Sequence, residues 1–354
     1  AMRIGLCQLL ILDGISDHAA INTAVDVVDA LGQKKMKGTV NAILRRAQRE
    51  KSQVSKKLEP LKILPPWLKK RLEADYGKDK LNDIANGMTE SGGLSFRLRD
   101  TTQAPYLEKC AQPCTTIPDC WHITDRLMAI NTLPGLKMGK VYVQNMASQL
   151  PAYILSQQKL PVGPVWDSCA APGGKALQLA DYLKNDKNPV VFSDVSMGRL
   201  LKARDNFKTC GTYAAPMAAD GTKPPVKEKA LAAILLDAPC SATGTIGRHP
   251  DVLFNKDDET ITALTQQQAD LLNAAAPLVK KNGFIVYSTC SILKSEGEEQ
   301  IKAFLKAHKN YQRVKIRKDI FTAPVDFITA NGQIRTLPST RMDGFFVAVL
   351  QRTD

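Results

Sequence analysis

Apolar positions along this chain recur with two different periods, and the change from one to the other divides it. Near the N-terminus Ile21, Val25, Val28 and Leu31 fall at helical spacing, and Val40, Ile43 and Leu44 repeat it in the next segment. Ahead of them residues 2–12 form an apolar helical run broken by Asp13-Gly14. Asp17 is placed to cap the second helix and Gly32 to end it. The third helix turns Val40, Ile43 and Leu44 inward and shows Lys34, Lys35, Lys37, Arg45, Arg46 and Arg49 to solvent. Three short helices bury little surface, so this piece needs more chain or must pack on the rest. The chain opens with Ala1-Met2 and runs at once into helical sequence, the layout expected of a tag remnant before a domain already under way.

Residues 51–57 are polar and basic, a predicted linker. Pro65-Pro66-Trp67 opens a helix through Tyr76, because proline suits a first helical turn. A second helix is predicted over 78–88, and short strands follow at 94–98, 121–123 and 141–143. From 145 onward the pattern alternates. Strands are predicted at 165–167, 190–194, 231–237, 283–288 and 344–350, with helices at 146–157, 175–184, 197–210, 258–279 and 296–307. Such alternation predicts an α/β fold, a parallel sheet covered on both faces. The expected organisation is therefore 1–58 helical domain and linker, 59–144 small α+β module, and 145–354 α/β domain.

Charge narrows the partner. Forty-eight Lys and Arg against 35 Asp and Glu leave a net charge of +13, which favours a polyanion such as nucleic acid. No run of about 18 apolar residues exists, so no membrane span is expected. Eight scattered cysteines without a disulfide framework fit a reduced, cytoplasmic protein. Cys110, Cys114, Cys120 and His122 follow C-x3-C-x5-C-x-H rather than paired C-x2-C knuckles, so no metal site is assigned.

The chemistry lies where predicted strands end. Asp167-Ser168-Cys169-Ala170-Ala171-Pro172-Gly173-Gly174-Lys175 joins the first α/β strand to its helix. Two glycines allow a tight turn and close backbone approach, but neither a dinucleotide fingerprint nor a phosphate loop is present. Asp194 ends the next strand, where an acid can hold the two hydroxyls of a ribose, and Asp220 follows the one after. Asp237-Ala238-Pro239-Cys240-Ser241 and Ser288-Thr289-Cys290-Ser291 end two further strands, each with a thiol. If those strands are neighbours, two thiols and a carboxylate converge beside a pocket for an adenosine-bearing cofactor, and a thiolate is a strong nucleophile.

These motifs, with the closing Met342-Asp343-Gly344-Phe345-Phe346, resemble the RNA 5-methylcytosine methyltransferases of the NOL1/NOP2/Sun family. The segments at 18–25 and 37–46 resemble the second half of a NusB-like helical domain, a combination similar to bacterial 16S ribosomal RNA methyltransferases, with the first half of that domain expected to be absent. The resemblance implies a Rossmann-like catalytic domain, S-adenosylmethionine as cofactor, and RNA, specifically 16S ribosomal RNA, as substrate. A monomer with no DNA and no membrane partner is expected. By resemblance Cys169, Ala170, Ala171, Pro172, Gly173, Gly174 and Lys175 wrap the cofactor, Asp194 holds its ribose, Asp220 its adenine end, and Asp237 lies near its methionine end and the target base. Cys290 is implied as the nucleophile attacking C6 of cytosine, with Cys240 assisting release and Lys175 near Asp237. Arg248 and His249, with Arg45 and Arg46, are the expected RNA contacts. Three positions depart from the family pattern, which has Thr at 176, Gly at 242 and Asp at 145, where this chain has Ala176, Ala242 and Asn145. The alternative is a non-catalytic RNA-binding ribosome-assembly factor on the same fold.

Overall fold

The computed structural model describes residues 1–12, 15–55, 59–89, 93–125, 128–184, 187–339 and 341–354. The expected helix break at Asp13-Gly14 and the end of the 51–57 linker lie outside the described residues. The chain forms two compact units, Ala1–Ile63 and Leu64–Asp354.

The first unit is helical: α1 (Met2–Leu10), α2 (Asp17–Ala30), α3 (Lys37–Arg49), and the short α4 (Lys51–Ser55) and α5 (Pro60–Ile63). Leu9, Ile21, Ala24, Val28, Val40 and Leu44 form its core. Gly5 lets α1 and α2 close, since a Cβ there would come within 2.9 Å of the Ala24 Cβ. Three expectations change. Ser16, not Asp17, caps α2, its Oγ accepting the Ala19 N–H at 3.3 Å, while Asp17 sits in the first turn. Leu31 (67% exposed) lies past the helix end, and Ile43 (39% exposed) lies about 100° round the helix from buried Leu44. The predicted linker begins as a turn of helix at Lys51–Ser55.

In the second unit, α6 (Pro66–Tyr76) and α7 (Lys78–Thr89) lead into a four-stranded antiparallel sheet. Its strands are β1 (Ser95–Leu98), β2 (Ala111–Pro113), β3 (Cys120–Ile123) and β4 (Val141–Val143), in order β2-β3-β1-β4, with α8 (Ala104–Leu107) beside them. Phe96, Leu98, Leu107, Trp121 and Val141 fill its core. The sequence does not announce β2, which has three residues, two of them exposed.

The large sheet contains β5 (Val165–Asp167), β6 (Val190–Asp194), β7 (Ala215–Ala218), β8 (Leu231–Asp237), β9 (Val279–Thr289), β10 (Tyr311–Val314), β11 (Ile334–Thr336) and β12 (Phe345–Arg352). Their order is β10-β12-β9-β8-β5-β6-β7, with β11 pairing to β12. Strands β5 to β9 are parallel as expected. The closing strand β12 is instead antiparallel to β9, and β10 and β11 pair antiparallel with it.

Side chains alternate faces along the central strands. Ala233 and Leu235 of β8 join one core with α9 (Met146–Ser156), α10 (Gly174–Tyr182) and α11 (Met197–Thr209). Ile234 and Leu236 join the other, with α12 (Asp258–Ala275) and α13 (Glu298–Ala307). This is a Rossmann-like, doubly wound architecture. The strand order reverses direction at β5, so the crevice at its carboxyl end is the expected ligand site. Asp181 of α10 anchors the small sheet. It takes Arg97 Nη1 at 2.6 Å and both Nε and Nη2 of Arg99 at 2.7 Å, all largely buried.

Candidate active site at the strand tips

The turn after β5 packs closely against α11. Gly173 has φ +98°, a left-handed conformation that glycine adopts at little cost, and a Cβ there would meet the Ala203 Cβ at 2.9 Å. The turn is pinned from β6: Trp166 Nε1 donates to Ser193 Oγ at 3.0 Å, and Ser193 Oγ donates to the Ser168 carbonyl at 3.0 Å. Asp194 is buried at 4% exposure. Its Oδ1 accepts the Ser196 N–H at 2.9 Å and its Oδ2 lies 3.4 Å from Arg199, which also donates to the Ala171 carbonyl. Asp220 is exposed, with Oδ1 accepting from the N–H and hydroxyl of Thr222, bonds that hold its pKa below the ordinary value. The next residue, Gly221, packs beside the Cys169 thiol. Asp194 and Asp220 thus flank the glycine turn.

Asp167 is wholly buried, and neither carboxyl oxygen has a hydrogen-bond partner. Burial, then the charge of Asp237, pushes its pKa up to about 8. The Cys169 backbone N–H offsets part of that rise. Burial likewise raises the Cys169 thiol to about 12, which makes it a poor nucleophile.

The tips of β8 and β9 carry the reactive groups. Their register pairs Asp237 with Ser288. Asp237 Oδ1 accepts the Ser288 hydroxyl at 2.8 Å, and Oδ2 accepts from Lys175 Nζ at 2.7 Å. Burial pulls the Lys175 pKa down, but the charge and hydrogen bond of Asp237, with Asp167 and Cys290, outweigh it, so the ammonium is held above its ordinary value. Beyond each tip the chain turns inward and brings Cys240 Sγ and Cys290 Sγ to 3.2 Å. The hydrogen bond to Cys290, burial, and the charges of Cys290 and Glu296 raise the Cys240 pKa, so Cys240 keeps its proton. A thiol protonated beside a second thiol, with an ammonium–carboxylate pair alongside, is a constellation for nucleophilic addition with proton management.

Sequence reasoning missed the scaffold beneath this pair. Ser241, Thr243 and Ser291 form a buried ring with Oγ–Oγ separations of 3.1 Å, and buried Glu296 accepts from Ser241. The available signal was the repeated Cys-Ser dipeptide at 240–241 and 290–291. Helix α13 was predicted from 296 but starts at Glu298, leaving Glu296 in a short 3-10 turn that points it inward. Gly244 and Gly344 touch backbone to backbone, and a Cβ on Gly244 would run into the Gly344 carbonyl.

The family departures are structurally mild. Asn145 caps α9 through Oδ1 at 2.9 Å from the Ala147 N–H, as an Asp would. Ala242 takes a left-handed φ of 59°, where glycine is the natural choice.

The expected RNA contacts fare differently. Arg248 is committed to buried Asp343, with Nε at 3.1 Å and Nη2 also bonded, because that carboxylate would otherwise be buried uncompensated. That bond fixes its position, and both Arg248 and His249 beside it are exposed. Arg45 and Arg46 lie on α3 of the first unit. Arg46 is 73% exposed in an i,i+4 pair with Glu50 at 2.9 Å, a surface bond that phosphate can displace. Among the described residues no three His, Cys, Asp or Glu side chains are grouped to hold a metal ion. Nor is any described helix long and apolar enough to cross a membrane.

Comparison with known proteins agrees with this geometry. Residues 152–351 match the family described as 16S rRNA methyltransferase RsmB/F, and residues 1–49 match the NusB family. The chain is 32% identical over 380 residues to a probable ribosomal RNA small subunit methyltransferase B from Synechocystis, covering 99% of this chain and 82% of the relative. A ribosomal RNA small subunit methyltransferase B from Pseudomonas putida is 35% identical over 316 residues, covering 86% of this chain and 72% of that one. Among solved structures, NSun6 from Pyrococcus horikoshii with SFG superposes with a TM-score of 0.69 at 19% identity, over 83% of this chain and all of that one, which speaks to fold. From the sheet order, the paired thiols and these matches, the chain belongs to the 16S rRNA methyltransferase RsmB/F family.

Proposed function

We propose that this protein transfers a methyl group from S-adenosylmethionine to C5 of a cytosine in 16S ribosomal RNA through a covalent Cys290–C6 adduct. The observation that carries the reading is the 3.2 Å approach of Cys240 and Cys290 beside the Lys175–Asp237 pair. The residues around the glycine turn fit the cofactor. Gly173 and Gly174 form the tight turn into α10, and buried Asp194 beside it suits a ribose. That cofactor, when bound, supplies an electrophilic methyl group.

C5 of cytosine is a weak nucleophile. Addition of the Cys290 thiolate to C6 moves the C5=C6 π electrons onto C5, which can then accept a methyl group. Asp237, taking a proton from the Lys175 ammonium as negative charge builds at N3, donates it in a hydrogen bond to that edge. Loss of the C5 proton to solvent re-forms the C5=C6 bond and expels Sγ of Cys290. Cys240, with its proton retained, hydrogen-bonds that leaving thiolate and stabilises it, so the pair returns to its starting state. The base must leave any stack to reach these groups, so a loop or single-stranded cytosine is the substrate.

The test is methyl transfer from labelled S-adenosylmethionine to unmodified 16S RNA, followed by nucleoside analysis. The expected product is 5-methylcytidine. Label on another atom would overturn the reaction assigned, and RNA binding without transfer would favour an assembly factor.

A further inference from the structure

We propose that Glu296 is a positioning residue: it clamps the loop carrying Cys240 onto the loop carrying Cys290, and so makes release of the adduct possible. The inference rests on the two-cysteine reading above.

Glu296 is fully buried, and its side-chain partners are neutral. Oε1 accepts the Ser241 N–H at 2.8 Å and Gln268 Nε2 at 3.0 Å, and Oε2 accepts the Ser241 hydroxyl. A buried carboxylate is costly unless such bonds compensate it, and bonds to an ionised acceptor are roughly twice as strong as neutral ones. A glutamate kept there has a use for that strength. Ser241 directly follows Cys240, and Ser291 directly follows Cys290. The two serine hydroxyls lie 3.1 Å apart, Thr243 Oγ1 bridges them, and the Gly244 N–H donates to the Cys290 carbonyl at 3.0 Å. Glu296 is tied in turn to β9, its carbonyl accepting from Tyr287 Oη at 2.8 Å and Thr289 Oγ1 at 3.3 Å. The clamp therefore runs from the cysteine strand through Glu296 to the residue after Cys240.

Its consequence is geometric. The 3.2 Å thiol pair exists because both loops are cross-linked one residue past each cysteine. Attack on C6 and methyl acceptance need Cys290, Asp237 and Lys175, of which Asp237 is held by strand register, Lys175 by α10, and Cys290 one residue past the end of β9. Release needs Cys240 close to the departing sulfur. Removing Glu296 should thus spare the first half of the cycle and impair the second.

The experiment compares Glu296→Ala, Glu296→Gln and Ser241→Ala with Cys240→Ala, using the whole protein, S-adenosylmethionine and 16S RNA. Adduct is read on a denaturing gel, with first-turnover and steady-state methyl transfer measured separately. In E296A the adduct is expected to accumulate and turnover to fall about 10- to 100-fold, while first-turnover transfer survives. In E296Q the retained amide oxygen still accepts the Ser241 N–H and the Ser241 hydroxyl can turn to accept, so the adduct should be weaker. S241A, which keeps the acid, should fall between them.

Normal turnover in E296A would overturn the proposal. So would loss of first-turnover and steady-state transfer together without adduct, which marks a scaffold residue. If C240A itself traps no adduct, the role of Cys240 fails first, a result distinguishable from failure of the clamp.

Discussion

The first unit and the strand tips of the second use charge in opposite ways. On α3 the basic side chains stand at the surface, and those that are paired meet acids in water, as Arg46 does with Glu50 and Lys37 with Asp29. At the strand tips each cation is fixed on a carboxylate, Lys175 with Asp237 in a largely enclosed pair and Arg248, itself exposed, on buried Asp343. Exposed charges of one sign attract a polyanion at a distance and yield to salt. Enclosed pairs do neither, but hold a proton or a base in one place. If α3 supplies the RNA grip and the strand tips the chemistry, as proposed, substitutions in the two regions should fail differently.

The largest expected effect is Cys290→Ala, which should lower turnover by at least about 10^4-fold without releasing RNA. Equal loss of RNA binding in a filter assay would break the separation. Asp237→Asn removes the partner of Lys175 and the N3 hydrogen bond, and should cost about 10^2- to 10^3-fold in turnover. A change confined to KM for RNA would contradict that role. Replacing Arg45, Arg46 and Arg49 by Ala should weaken RNA affinity and flatten the logarithmic salt slope by about 0.7 for each phosphate no longer neutralised. An unchanged slope would remove α3 from the RNA interface.

Asp167 sharpens the enclosed side. Its folded pKa of about 8 lies above the unfolded value of about 3.9, so the folded state binds more protons between them. Stability should therefore fall as pH rises through that window, and Asp167→Asn should flatten the slope in thermal melts from pH 5 to 8. A steeper slope in the variant would contradict the assignment. The smallest effect is Ala242→Gly, which relieves a left-handed alanine and should stabilise by about 0.5–1 kcal/mol in thermal melts.

The two regions also differ in how far they could be read from the chain. The strands ending at Asp167, Asp194 and Asp237 were legible because continuous apolar runs stop abruptly at an acid. The pairing of Asp237 with Ser288 followed from parallel neighbours. The strands β2, β10 and β11 were not, because polar residues interrupt each of them and leave no apolar run to read. Burial of a polar residue was hardest to foresee. Glu296 reads as the start of an acidic helix, and Arg248 as an open basic loop. Glu296 is turned inward to Ser241, and Arg248, though exposed, is tied to buried Asp343, each partner being far away in sequence. In α3 the helix was evident, but which edge residue faces solvent depends on neighbours, as Ile43 shows.

The central claim is the division of labour between the two thiols. Incubating Cys240→Ala and Cys290→Ala proteins separately with S-adenosylmethionine and 16S RNA, then resolving them under denaturing conditions, tests it most directly. A covalent RNA–protein band with C240A and none with C290A is the predicted result. The reverse pattern would make Cys240 the nucleophile and contradict the account.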